Sequence, residues 1–389
     1  MHQPTLKVAH IVRQFHPGVG GLEKFVMSLV QAQRQAGVNA RVISLNRLFH
    51  QHHAPSLPQN EIIEGIEVKR IGYQGSYKYP IAPGVLFAIK DADIVHVHGI
   101  DFFFDYLSAT RWFHHKPMVV STHGGFFHTQ FAARLKRLYF RTISRWAMRG
   151  YGRVLAISNG DFSTFRKICE PERLLLVENG VDIDKFANAA APSLTRNLLF
   201  IGRFSDNKRL DRLLDTFARL CQYHDDYHLD IAGRDWDHNL GRMRRQISAL
   251  GLQQSVKIHI GLSDQGMTEL MQHNSFITSA SEYEGFGQTL VEGMAAGLIP
   301  IASDIDSFKR VVDKAGLGLI LDFSRSDSAQ RIHQFIDQCL AQPTSPRQEA
   351  IQAAQQFSFT QCSNTIIRVY LDLINRHDMP MNNNILNKN

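Results

Sequence analysis

Two glutamates, Glu284 and Glu292, stand eight positions apart in SEYEGFGQTLVEGMAAG (281–297), on either side of a Gly285-Phe286-Gly287 turn. Two carboxylates could form an acid–base pair. They could equally accept hydrogen bonds from vicinal hydroxyls, which sugars carry in pairs. If a helix starts near Gly287, Glu284 precedes it and Glu292 lies about a turn and a half inside. The amides at such a helix start favour an anion such as phosphate. Hydroxyls, phosphate and further hydroxyls in a row outline a sugar nucleotide. Taken alone, the stretch also describes a solvated helix with incidental acids, so the other charged loops decide.

One such loop is GRFSDNKRLD, where Arg203 closes a strand and Lys208 falls about where a helix begins. Two cations beside helix-start amides make a cradle for a diphosphate. The loop FHPGVGGLEKF carries Gly18, Gly20 and Gly21 between the first strand and the first helix, where backbone amides can approach a ligand. Its spacing is not the GxGxxG of dinucleotide folds, and a simple tight turn would look similar. In STHGGFFHT, His123 ends a strand and His128 follows five residues on. The His96-Val-His98 run is read as alternating faces, unable to share a metal, and so as core or rim. Asp pairs at 91/93, 182/184, 235/237 and 304/306 have the DxD form that holds a divalent cation on a diphosphate. With Arg203 and Lys208 already supplying positive charge, no metal and no other cofactor are expected.

The elements that must position these residues alternate between strand and helix. KVAHIV (7–12), ARVISL (40–45), DIVHVHG (93–99), PMVVSTHG (117–124), RVLAIS (153–158) and RLLLVENG (173–180) read as short buried strands, with a helical pattern over Leu22–Gln35. The series restarts with NLLFIGR (197–203), an amphipathic helix over Asn207–Cys221, then HLDIAGR, VKIHIG, SFITSA, LIPIAS and LGLILD. The fold class is therefore α/β, as two Rossmann-like halves with parallel sheets, and ligands of such sheets bind beyond the carboxyl ends of the strands, in a central cleft. The expected division is an N-terminal acceptor-binding domain over 1–180, a linker over 181–196, a nucleotide-sugar domain over 197–345, helices over 346–375 that could cross back, and a frayed tail over 376–389.

The chain has 389 residues, 44% hydrophobic and 20% charged, which suits a two-domain globular protein and excludes a disordered one. No apolar run nears the roughly 20 residues of a membrane span. The start lacks the basic-then-apolar pattern of a signal peptide. Four scattered cysteines fit free thiols in a reducing compartment. A cytoplasmic protein is expected. Residues 1–194 carry 23 Lys and Arg against 14 Asp and Glu, and the remainder 20 against 22, so the basic character lies in the first half. There, FAARLKRLYFRTISRWAMRGYGR places Arg137, Arg141, Arg145, Arg149 and Arg153 at four-residue spacing, with Arg134 and Lys136, and no acid. On a helix this is a cationic stripe flanked by Tyr139, Phe140 and Trp146, suited to the inner face of an anionic membrane, or else an ordinary solvated face. Nucleic acid fits less well, since no stacking platform accompanies the charge. GIDFFFDY (99–106) is read as helix core.

Taken together, Glu284-Gly-Phe-Gly…Glu292 resembles the E-x7-E motif of retaining glycosyltransferases with the GT-B fold, the large family 4. Gly20-Gly21-Leu-Glu23 resembles that family's GG-x-E loop, Gly202-Arg203…Lys208 its phosphate clamp, and Ser158-Asn-Gly and Glu178-Asn-Gly-Val-Asp182 its landmarks. The resemblance spans roughly residues 5–375. It implies that Glu284 binds the transferred sugar, Glu292 the ribose, Arg203 and Lys208 the leaving diphosphate, and His123 the donor sugar near its anomeric carbon. Gly21 would lie under the diphosphate, with Gly20, Gly285, Phe286 and Gly287 lining the donor site and the backbone near Gly233 and 256–261 holding the base. It also implies front-face attack with retention and no carboxylate nucleophile.

VRQFHPGVGGLEKFV is similar to mannosyltransferases that extend polyprenyl-diphosphate-linked cellobiose in xanthan- and acetan-like exopolysaccharide pathways. This implies GDP-mannose as donor, a lipid-linked saccharide as acceptor and an α-1,3 bond. A UDP-hexose or UDP-N-acetylhexosamine enzyme of lipopolysaccharide or capsule assembly is the alternative. A phosphorylase, an epimerase or a non-catalytic sugar-nucleotide-binding protein would belong to another class.

Overall fold

The computed structural model describes residues 5–18, 20–49, 55–77, 79–123, 138–191, 193–342 and 345–378. The chain divides into two compact units, one of residues 1–180 with 359–389 and one of residues 181–358.

In the first unit the strands are β1 (Lys7–Ile11), β2 (Asn39–Leu45), β3 (Asn60–Ile63), β4 (Ile66–Ile71), β5 (Gln74–Ser76), β6 (Tyr79–Ile81), β7 (Ile94–His98), β8 (Met118–Ser121), β9 (Arg153–Ala156) and β10 (Leu174–Leu176). Eight of them form one sheet in the order β10-β9-β8-β7-β1-β2-β4-β3, with β5 and β6 as a separate hairpin. The pairing is parallel except for β3 against β4. The β3–β4 hairpin is absent from the expectation drawn from the sequence. Glu61, Glu64 and Glu67 dilute its apolar pattern. Its turn is nevertheless encoded, because Glu64 and Gly65 both take positive φ (48° and 78°), as a tight two-residue hairpin turn requires.

Side chains alternate across each strand. Ala9, Ile11, Val95 and Val97 face one core, which includes Phe102, Phe103 and Phe104, so GIDFFFDY is indeed core. Val8, Val12 and Ile94 face the other, which is covered by the helices Gly21–Gln35 and Phe359–Asp378 packed on each other. Each fully buried Leu, Val, Ile or Phe contributes about 1.5–3 kcal/mol.

The second unit carries β11 (Asn197–Phe204), β12 (His228–Asp235), β13 (Val256–Ile260), β14 (Phe276–Ser279), β15 (Ile299–Ser303) and β16 (Leu319–Leu321), all parallel, in the order β13-β12-β11-β14-β15-β16. Helix Leu210–Leu220 buries Leu210, Leu213, Leu214, Phe217 and Leu220 on one face of this sheet. Helix Gln288–Ala296 covers the other, closely enough that a Cβ at Gly293 would come within 2.9 Å of Ile277.

Two boundaries differ from the expectation. Residues 181–196 are not a loose linker: Val181, Ile183, Phe186 and Ala190 are buried in the core of the second unit. Their small and charged neighbours hide a periodic apolar set. The C-terminal helices do not act together. Ser345–Ala354 packs in the second unit through Ala350, Ala353 and Ala354, and Phe359–Asp378 packs in the first.

The basic stripe is also altered. A π-helical turn over Phe140–Ser144 precedes the helix Arg145–Met148, and Arg153 lies on β9, paired with Asp372 at 2.7 Å. Arg141, Arg145 and Arg149 are exposed. Tyr139 is tied to Asp105 and Phe140 is buried, leaving Trp146 as the exposed aromatic of the three. Arg134, Lys136, Arg137 and His128 lie outside the described residues.

Candidate active site

Seven of the ten site residues read from the sequence belong to the second unit, where they follow the ends of β11 and β14 or, for Arg203, close β11 itself. Arg203 is the penultimate residue of β11, pairing in register with Arg234 on β12, and its guanidinium lies 4.8 Å from the centre of the Trp236 ring. That cation–π contact keeps an exposed Arg over the strand ends. Gly202 and Gly233 pair beneath it. A Cβ on Gly233 would sit 1.7 Å from the Gly202 carbonyl oxygen, so no other residue fits there. Gly261 follows β13 and donates its N–H to the Gly233 carbonyl (3.0 Å). This backbone edge is where the sequence reading places a base.

Lys208 does not begin the long helix. It ends a 3₁₀ turn (Asp206–Lys208), and Arg209, with φ 48°, separates that turn from helix Leu210–Leu220. The break buries the Lys208 side chain and directs it to Glu284, with which it forms an ion pair. Ser281 donates to the same carboxylate oxygen at 3.1 Å. The two loops are stitched along their length. Glu282 N–H donates to the Asn207 carbonyl (2.9 Å), Asn207 Nδ2 to the Tyr283 carbonyl (3.2 Å), and Glu282 pairs with Arg209 and with Arg212 (3.0 Å). These contacts fix a lysine and a carboxylate that the sequence holds far apart.

Gly287, at φ 100°, turns the chain from Glu284 into helix Gln288–Ala296, a conformation costly for any residue with a Cβ. Gly285 has open space around its Cα, and Phe286 packs on Phe357. Glu292 sits just over one turn inside the helix, where Gln288 donates to it at 2.8 Å. Burial pushes its carboxyl up, against the opposing pull of the Gln288 hydrogen bond and of Lys185. A half-buried carboxylate of this kind can accept a hydrogen bond from a hydroxyl.

Gly20, Gly21 and His123 belong to the first unit. Gly20 is the N-cap of helix Gly21–Gln35, with the Glu23 carboxylate folded against it, and Gly21 has no heavy atom within 4 Å of where a Cβ would stand. His123 follows β8 with φ 48°, a strained value for a residue with a side chain. Phe25 packs against its ring at 4.9 Å, and its Nε2 lies 3.0 Å from His98 Nδ1.

His98 leads to residues that the sequence reading missed. His96 and His98 share one face, with ring centroids 4.2 Å apart, which corrects the expectation of alternate faces. Residues two apart on a strand point the same way. His10, in register with His96 across β1 and β7, joins them. One nitrogen from each of His10, His96 and His98 falls within 4.8 Å of the others, a spacing open to a metal. All six nitrogens of these rings, however, already have partners: His10–His98 (2.9 Å), His10–Gln33 (2.8 Å), His98–His123, His96–Tyr370 (2.5 Å) and His96–Ser121 (2.8 Å). As arranged, the set is a closed hydrogen-bond circuit. Burial pushes His10 down to about 4 and His123 to about 3, and His96 and His98 also well below the ordinary imidazole value. The legible signal was three histidines on neighbouring strands in matching register.

The DxD carboxylates are engaged locally. Asp91 pairs with Arg41, Asp93 accepts from Lys7 N–H (2.8 Å), Asp182 from Lys185 N–H (3.2 Å), Asp235 from Asn239 N–H (2.8 Å) and Asp237 from Asp206 N–H (3.2 Å), while Asp304 pairs with Lys309.

Comparison with known proteins agrees with this geometry. Residues 19–185 match the family model "Glycosyltransferase Family 4" and residues 182–357 match "Glycosyl transferases group 1". The chain is 44% identical over 325 residues to the GDP-mannose:cellobiosyl-diphosphopolyprenol alpha-mannosyltransferase of Xanthomonas campestris, covering 83% of this chain and 85% of that one. It is 41% identical to the protein of the same name from Komagataeibacter xylinus, covering 82% and 80%. Among solved structures, a glycosyltransferase from Rickettsia africae superposes with a TM-score of 0.70 at 20% identity, covering 96% of this chain and 99% of that one. The chain belongs to the GT-B glycosyltransferases of family 4, and it is an enzyme that transfers a hexose.

Proposed function

We propose that this enzyme transfers mannose from GDP-mannose, with retention, onto a cellobiosyl-diphosphopolyprenol acceptor, forming an α-1,3 bond in exopolysaccharide assembly. The observation that carries the reading is the 41–44% identity, over more than four fifths of the chain, to relatives named for GDP-mannose as donor, cellobiosyl-diphosphopolyprenol as acceptor and alpha-mannosyl transfer. The site chemistry supports it. Breaking the anomeric C–O bond leaves negative charge on the departing diphosphate, and preorganised cations there supply most of the rate enhancement. On this reading Arg203 and Lys208 are those cations, and the Lys208–Glu284 ion pair supports it by holding a cation and a carboxylate side by side. Glu284 takes sugar hydroxyls, Glu292 takes the ribose, and His123 faces the donor sugar. No metal is needed on this account, because the charge is met by side chains and each DxD motif has carboxylates committed to local structure.

The acceptor's lipid points to a membrane surface. Among the described residues no helix is long and apolar enough to cross a membrane. The first unit does expose a basic and aromatic surface. Trp112 and Phe113 are 69% and 82% exposed, next to Arg111 and Lys116. A cavity of about 320 Å³ is lined by Arg145, Arg149, Arg166, Lys167 and Arg173 among others. Cations grouped beside exposed aromatics suit an anionic lipid face. The donor assignment is tested by thermal shift. At a hundredfold excess over its dissociation constant a ligand stabilises by about 2.7 kcal/mol. GDP is expected to raise the melting temperature more than UDP or ADP at equal concentration, and a larger shift with UDP would overturn the donor reading.

A further inference from the structure

The buried circuit behind His123 has a direction. Gln33, fully buried between the two helices that cover this sheet face, presents its Oε1 to His10 Nε2 at 2.8 Å and its Nε2 to the Tyr370 hydroxyl at 3.3 Å. The rings are buried, and their partners are neutral groups: other imidazoles, an amide, a phenol and a serine. An imidazolium there would be a buried charge without a counter-ion, so the rings are neutral, each with one N–H and one lone pair.

That fixes every proton in turn. A carboxamide oxygen only accepts, so His10 carries its proton on Nε2 and its Nδ1 is a lone pair. His98 must then donate from Nε2 to His10 Nδ1 (2.9 Å), leaving His98 Nδ1 bare. His123 must donate from Nε2 to His98 Nδ1 (3.0 Å), leaving His123 Nδ1 bare. On the other branch, Gln33 Nε2 donates to the Tyr370 oxygen, the phenol donates to His96 Nδ1, and His96 donates from Nε2 to Ser121. Among the described residues, His123 Nδ1 has no partner.

We infer that Gln33, through His10 and His98, is a positioning residue that sets the tautomer of His123, so that His123 offers the donor sugar a hydrogen-bond acceptor at Nδ1 and recognises a hydroxyl as a donor. This rests on the reading that His123 faces the sugar, but the tautomer itself does not depend on that reading. Turning the Gln33 carboxamide around would reverse every bond in the circuit and make His123 Nδ1 a donor. The orientation of the Gln33 carboxamide, with Oε1 toward His10 and Nε2 toward Tyr370, is therefore the single choice that sets the polarity.

The test is nitrogen NMR of the full chain labelled with ¹⁵N-histidine, with the His123 signals identified by their loss in His123→Asn. The expected result is a protonated Nε2 and a bare Nδ1 on His123. A proton on Nδ1 overturns the proposal, whether or not any variant folds. Gln33→Met removes the anchor and is expected to mix the His123 tautomers and lower kcat about tenfold. Gln33→Glu, protonated on the oxygen facing Tyr370, is expected to restore both. An unmixed tautomer in a folded Gln33→Met protein overturns the relay. Donor analogues separate the two readings. If replacing each mannose hydroxyl in turn by fluorine never weakens binding as its deletion does, His123 does not accept from the sugar, while the NMR result still decides the relay.

Discussion

Lys208 and Glu284, 76 residues apart in the chain, form an ion pair at the carboxyl ends of the second sheet. The pair joins the proposed phosphate ligand to the proposed sugar ligand, so each holds the other's geometry before a donor arrives.

Lys208→Met removes a cation from the leaving group and frees Glu284. Turnover is expected to fall about 10²–10³-fold, the usual cost of removing one preorganised charge. The melting temperature should move by only a few degrees, since Ser281 still binds Glu284. Initial rates beside a thermal melt check this. An unchanged turnover in a folded variant would remove Lys208 from the clamp.

The histidine circuit makes stability fall in mild acid. His10, His96, His98 and His123 are held neutral in the folded state, with His10 lowered to about 4 and His123 to about 3. An unfolded imidazole titrates near 6.5. Their contribution is complete above about 6.5 and is lost as the pH falls from there toward the folded values, because only the unfolded chain takes up protons in that window. Each group then costs up to about 1.4 kcal/mol per pH unit, roughly 5 kcal/mol for four. Urea midpoints between pH 7 and 5 should drop steeply, and His96→Gln should flatten the slope by about one proton. A level midpoint across that range would contradict the buried neutral circuit.

Excess EDTA should leave transfer at its full rate. In the proposed clamp Arg203 and Lys208 supply the charge a cation would, and the DxD carboxylates hold backbone amides and basic side chains. Abolition by EDTA with recovery on adding Mn²⁺ would show that one of the Asp pairs is a metal site instead.

Vesicle flotation tests the basic face. The enzyme should float with vesicles containing anionic phospholipid and not with neutral ones. Replacing Trp112 and Phe113 by Ser and Arg145 and Arg149 by Gln should abolish flotation while leaving transfer to a soluble acceptor analogue unchanged. Equal flotation of the quadruple variant would sink this surface as the docking face.

Much of this was legible in the residues. Buried parallel strands read as short apolar runs, so β1, β2, β7 to β10 and all six strands of the second sheet stood out. The hairpin of β3 and β4 did not, because its glutamates hide the alternation, although Glu64-Gly65 marked the turn. The segment 181–196 read as a linker from its small residues, yet four apolar positions anchor it. Lys208 was found as a cation, but its partner was not, since nothing local in a sequence tells which distant loop a side chain meets. The histidines were missed through parity: His96 and His98, two apart, share a face. Only the register of β1 with β7 brings His10 to them, and only the folding back of Phe359–Asp378 brings Tyr370.

The central claim is tested most directly by product analysis. Purified enzyme, GDP-mannose and a cellobiosyl-diphosphopolyprenol acceptor should yield one added mannose, joined by an α-1,3 bond that NMR of the product reads. UDP-glucose, UDP-galactose and UDP-N-acetylglucosamine should yield no comparable product. Transfer from one of those donors but not from GDP-mannose, or a β-linked mannose, would contradict the account.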